Sequence, residues 1–144
     1  MGSDDRSGWF EPGLLQHLPP DECRELLHAK AVGRVAFSGP EGPQVLPVNY
    51  VVLHGSIYFR TASGGTLANA VRDSRVAFEI DDIDDFLQSG WSVVAVGDAE
   101  FVDDPELLAE LWGEHGPKPW AIGLRNQFVR ITPLRLTGRR VLQT

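Results

Sequence analysis

Residues 47–66, PVNYVVLHGSIYFRTASGGT, hold two apolar runs on either side of His54-Gly55, with a glycine-rich turn at the far end. Apolar runs separated by a tight two-residue turn predict a β-hairpin, here with strands Gln44–Leu53 and Ser56–Thr61. Pro47 offers no ladder donor, so the first strand needs an edge, a bulge or a ligand at that point. The second strand delivers Arg60 and Thr61 to its end. Ala62-Ser63-Gly64-Gly65 then turns the chain, and a short helix is expected over residues 66–73 with Leu67, Ala70 and Val71 on its apolar side.

On the N-terminal side, Cys23, Leu26, Leu27 and Ala31 recur at helical spacing after Pro20, with Asp21 and Glu22 in the first turn. Gly33 is expected to end that helix, and Val32–Phe37 to form a strand. On the C-terminal side, strands are expected at Arg75–Ile80 and Trp91–Val102, the latter with a bulge at Gly97. The acidic run Asp81, Asp82, Asp84, Asp85 between them is expected to be a solvated loop. A helix follows over Pro105–Trp112, then an irregular segment at residues 116–123. Two last strands, Gln127–Ile131 and Leu136–Val141, are separated by Thr132-Pro133. Short helices at irregular intervals exclude a βαβ repeat, and hairpin-length connections predict a mainly antiparallel sheet closed into a barrel. The fold class is α+β.

Composition removes several kinds of function. The 144 residues suffice for one domain with a proper core. Thirteen basic and 20 acidic residues give a net charge of −7, which opposes nucleic-acid binding. No apolar run approaches the roughly 20 residues of a membrane helix, and no secretory leader is visible, so a cytoplasmic protein is expected. Cys23 is the only cysteine and reads as a small core residue. His17, His28, His54 and His115 lack ligand spacing, so no metal site is expected. Residues 1–19 read as a mobile N-terminal arm in which Trp9 and Phe10 suit docking on a partner.

Chemistry concentrates at Arg60-Thr61-Ala62-Ser63-Gly64-Gly65-Thr66. A guanidinium fork, three hydroxyls and a helix start all suit a dianionic phosphate. Taken alone, the stretch reads more simply as a strand–turn–helix junction, and no Walker pattern follows it. Pro47-Val48-Asn49-Tyr50 lies one hairpin away, where Val48 offers an apolar wall and Asn49 an amide. Trp91, after Gly90, suits ring stacking or plain packing. No catalytic residue is assigned.

These segments, in the order Val32-Gly33-Arg34-Val35-Ala36, Pro47-Val48-Asn49-Tyr50, Phe59-Arg60-Thr61-Ala62, Val76-Ala77-Phe78-Glu79, Gly90-Trp91-Ser92-Val93 and Val129-Arg130-Ile131-Thr132-Pro133, resemble the pyridoxamine 5′-phosphate oxidase-like family, and more closely its short flavin- and deazaflavin-dependent members. The resemblance runs from about Pro20 to Val141. It implies a six-stranded FMN-binding split barrel over residues 20–144 and a homodimer with FMN at the subunit interface. It also implies that Arg60, Thr61, Ala62, Ser63, Gly65 and Thr66 hold the phosphate, that Pro47, Val48, Asn49 and Tyr50 line the flavin ring, and that Trp91 lies near the site or the dimer seam. Thr66 stands where many relatives have lysine, which leaves Arg60 or Arg72 to compensate.

The activity implied is FMN-dependent hydride transfer with a small organic substrate. The alternatives are a deazaflavin-dependent reductase of the same fold, or a non-enzymatic flavin- or haem-binding stress protein, for which His54 reads as a turn residue rather than a ligand. Pyridoxamine phosphate oxidation itself is not expected, because a second phosphate-bearing substrate would require further basic residues.

Overall fold

A computed structural model describes residues 14–71, 74–121 and 123–142. The strands are β1 (Leu14–His17), β2 (Val32–Gly39), β3 (Gly42–Leu53), β4 (Ser56–Thr61), β5 (Ser74–Asp84), β6 (Ser89–Phe101) and β7 (Gln127–Leu142). The helices are α1 (Pro20–Leu26), α2 (Thr66–Val71) and α3 (Pro105–Trp112). All strand pairs are antiparallel, in the order β1-β7-β4-β3-β2-β5-β6, and β6 returns to pair with β7. Six strands thus close a barrel, and β1 adds a seventh beside the end of β7.

Period-two patterning fills the interior. Val35 and Phe37 from β2, Ile57 and Phe59 from β4, Val76, Phe78 and Ile80 from β5, and Val93 and Ala95 from β6 are all buried in one cluster. α1 adds Cys23, which is buried as expected of a small core side chain. A second cluster lies outside the barrel wall, where Leu111 of α3 meets Tyr58 and Phe128.

Four expectations change. Leu14–His17, read as part of a mobile arm, pairs with β7; all four residues are exposed, so no hydrophobic alternation marks the strand. The rest of the arm, with Trp9 and Phe10, lies outside the described residues. Gly33 sits inside β2 rather than ending α1, and a Cβ there would lie 2.2 Å from Phe78 Cζ, so the glycine makes room for that ring. β5 continues through Asp84 because it stays paired with β6 as far as Asp84↔Ser89, and cations meet its first two aspartates. Arg34 pairs with Glu79 at 2.6 Å and Asp81 at 3.1 Å, and Lys30 with Asp82 at 3.6 Å. β7 is unbroken, since a register shift at Val96/Gly97 absorbs one extra residue opposite and accommodates Pro133. The bulge expected at Gly97 is that shift. The helix expected over 66–73 is described only to Val71.

Tyr50 locks the β3 end of the core. Its hydroxyl donates to Leu27 O at 2.6 Å, and its ring meets Phe78 edge-on with centroids 4.8 Å apart. Burial pushes the phenol up to about 12 from an ordinary 10.0. The folded state therefore holds this proton after the unfolded chain has released it, and stability falls as pH rises from 10.0 to about 12. Tyr50→Phe is expected to cost about 1–2 kcal/mol at neutral pH and to flatten that alkaline loss, as read by urea denaturation on both sides of the window.

Candidate functional site

The barrel is split along one edge of β3. Residues 42–49 pair with β2, but β4 joins β3 only from Tyr50↔Phe59 to Leu53↔Ser56. Pro47 lies in the one-sided half and is exposed, which accounts for a strand residue with no ladder donor. Where β4 leaves β3, a cleft of about 360 Å³ opens. Leu46, Pro47, Val48 and Asn49 form one wall, Arg60 and Thr61 the end, and Gly65, Thr66 and Leu67 a second wall. The connection between α3 and β7 contributes Pro119, Ala121 and Arg125.

Strand alternation aims these groups. Ile57, Phe59 and Thr61 are the inward line of β4, so Thr61 stands at the barrel mouth, 7% exposed. Arg60 belongs to the outer line with Tyr58, against α3. Its guanidinium lies 4.4 Å from the Trp112 ring centroid and 5.5 Å from that of Phe128, and Nε donates to Arg125 O at 2.8 Å. The arginine is thereby held rigidly from behind. Burial and then the neighbouring Arg125 cation pull its pKa below the usual guanidinium value. No aspartate or glutamate among the described residues lines the cleft. In a chain of net charge −7 this is a locally positive site.

Asn49 carries the second chemical feature. Its Oδ1 accepts from the Trp120 N–H at 2.9 Å, which fixes the amide's orientation. Nδ2 is then a buried donor with no partner among the described residues. An unmatched buried donor costs about 1–3 kcal/mol, so a ligand acceptor at this wall would recover that energy.

Not all of the expected site residues meet. Pro47, Val48, Asn49, Arg60, Thr61, Gly65 and Thr66 share the cleft. Tyr50 faces the core instead, because the next position along a strand points to the opposite face. Ala62 and Ser63 are exposed and stabilise the turn: the Gly65 N–H donates to Ala62 O at 3.2 Å, and Ser63 Oγ to Asn126 Oδ1 at 2.8 Å. Trp91 packs against the core between Asp82 and Arg140 and does not line the cleft. α2 has six residues, so its dipole adds little beside two guanidinium groups. Arg72 lies outside the described residues. Sequence reading passed over Arg125, whose approach to Arg60 depends on the Arg60↔Phe128 pairing of β4 with β7.

A mostly antiparallel split barrel with a carboxylate-free cleft at its open edge defines the class of protein. Residues 19–140 match the family model described as pyridoxamine 5′-phosphate oxidase, and the chain belongs to that family. The uncharacterized Mycobacterium tuberculosis protein Rv0080 is 36% identical over 130 residues, covering 87% of this chain and 84% of its own. A Corynebacterium glutamicum structure, described as a candidate pyridoxamine 5′-phosphate oxidase, is 34% identical with a TM-score of 0.76, covering 90% of this chain and all of its own. The FAD-binding protein of Mycobacterium smegmatis is 31% identical with a TM-score of 0.69, covering 88% of this chain and 98% of its own.

Proposed function

We propose that the chain is a flavin-dependent oxidoreductase that holds FMN in the cleft between β3 and Arg60 and moves a hydride to or from a small organic molecule. The observation carrying this reading is the pairing of Arg60 and Arg125 with the unpartnered Asn49 amide in one carboxylate-free cleft. The donor set fits the group. Arg60, Arg125, Thr61 and Thr66 suit a phosphate; Leu46, Val48 and Leu67 suit a flat apolar ring; Asn49 Nδ2 suits a ring carbonyl or nitrogen. When bound, the flavin supplies the hydride chemistry, while the protein binds, orients and excludes water. The name of the M. smegmatis relative supports FAD as a second reading, with the same phosphate contacts. No residue of the cleft favours the deazaflavin cofactor, and haem ligation gains no support from His54, which pairs with Glu110 at 3.0 Å.

Val45 and Leu46 are exposed beside the cleft at 60% and 37%, and Trp120 is exposed at 75%. A second copy covering this edge would enclose the flavin, so the proposed working form is a homodimer; a monomer mass by light scattering would contradict it. No helix among the described residues is long and apolar enough to cross a membrane. The cytoplasm is the proposed compartment.

Thr66→Lys would return the cation that many relatives carry. It is expected to tighten FMN binding by about 1 kcal/mol, with a steeper salt dependence, in a flavin fluorescence titration. Unchanged affinity would show that no phosphate lies near Thr66. Flavin-loaded protein, reduced with dithionite and mixed anaerobically with a quinone, is expected to reoxidise faster than free reduced FMN. Equal rates would leave a flavin carrier without oxidoreductase activity. Pyridoxamine phosphate is not expected to be turned over, since both cleft arginines are already committed to the cofactor.

A further inference from the structure

A larger cleft of about 570 Å³ lies at the other end of the β3–β4 hairpin. It is separated from the flavin cleft by the length of β4, roughly 20 Å for six extended residues. Its floor is apolar, formed by Leu27 of α1's end, Val52 of β3 and Leu136 of β7. The bulge that accommodates Pro133 puts Leu134 on the rim, 60% exposed. Arg24, His28, His54 and Arg135 surround this floor, and no carboxylate among the described residues lines it. Asp21 engages Arg24 and Glu110 engages His54, both from outside the lining. The side chains of Arg135 and His28 have no partner among the described residues.

We propose that this second cleft binds a small amphiphilic organic anion, with an aromatic or aliphatic body on the leucine–valine floor and a carboxylate-type head on Arg135 and His28. The ligand class follows from charge and shape together. In a chain of net charge −7, a cleft whose charged lining among the described residues is Arg24 and Arg135 favours anions over cations. Its apolar floor gains little from a bare inorganic ion but stabilises a hydrocarbon body. The guanidinium supplies a two-pronged site for the head group.

The test uses 1-naphthoate and its neutral counterpart 1-naphthalenemethanol, titrated calorimetrically into the full chain with and without saturating FMN. Naphthoate is expected to bind at one site per chain, and the alcohol about tenfold more weakly or worse. Arg135→Gln, a change at an exposed position, is expected to lower naphthoate affinity by about tenfold, and FMN to leave it unchanged. Displacement by FMN would assign the anion to the flavin cleft and overturn the proposal. Equal binding of acid and alcohol, an indifferent Arg135→Gln variant, or no binding at all would each overturn it as well. The last is the result expected if a second copy of the chain covers this face. The FMN arm rests on the flavin reading; the comparison of acid with alcohol and the Arg135→Gln variant do not.

Discussion

Arg60→Ala is expected to weaken FMN binding by about 1.5–3 kcal/mol, the usual worth of a charge-assisted hydrogen bond, or roughly tenfold to a hundredfold in Kd. Arg60 acts twice. Its guanidinium lines the cleft, and the same group stacks on Trp112 and ties Arg125 O across the mouth. Removing it takes away one cation and loosens the segment that carries the other. Arg60→Lys separates the two roles, because lysine keeps the charge but loses the planar fork and the stacking. The lysine variant is expected to bind FMN with intermediate affinity. A flavin fluorescence titration reads all three proteins, and identical affinities would place the phosphate elsewhere. Arg125→Ala is expected to shift affinity in the same direction and with less effect on the fold.

Phe78→Ala is expected to cost about 3–5 kcal/mol of stability, the largest effect of any single core truncation proposed here. Phe78 is fully buried, its ring fills the space left by Gly33, and it packs against Tyr50 in a T-shaped contact. The backbone at Gly33 is paired with Val48 of β3, and that at Arg34 next to it with both β3 and β5, so the hole cannot readily close by collapse. Chemical denaturation should show the midpoint falling with little change in slope. Phe78→Leu, which keeps much of the volume, is expected to recover most of the loss. A cost under about 1 kcal/mol would mean that the barrel repacks freely around this position.

Much of the barrel was legible because its strands alternate. Val35 and Phe37, Ile57 and Phe59, and Val93 and Ala95 each announce an inward face, and His54-Gly55 announces a hairpin. What failed to show were features without a local pattern. β1 buries nothing, so only its hydrogen bonds to β7 reveal it. The extension of β5 through its aspartates rests on pairing with β6, and Arg34 and Lys30, which meet the first two, are distant in sequence. The unbroken β7 depends on a bulge shared with Gly97.

The site divides the same way. The hairpin placed Val48 and Asn49 near Arg60 and Thr61, because antiparallel pairing is countable from a turn. Tyr50 was misplaced for a one-residue reason, since adjacent positions on a strand face opposite ways. Arg125 had no signature of its own. It reaches the cleft because the chain enters β7 opposite the end of β4, a tertiary fact. In the proposed site, Arg125 would supply from the connection before β7 the positive charge that the family resemblance implies at the start of α2.

The open edge of β3, closed by Arg60 and Arg125, is the proposed flavin site. The most direct measurement is the absorption spectrum of the protein after incubation with FMN and removal of free flavin by gel filtration. A yellow protein carrying one flavin per chain, and losing it in the Arg60→Ala variant, is the predicted result. A colourless protein that retains no flavin, or one that retains it equally without Arg60, would contradict the account.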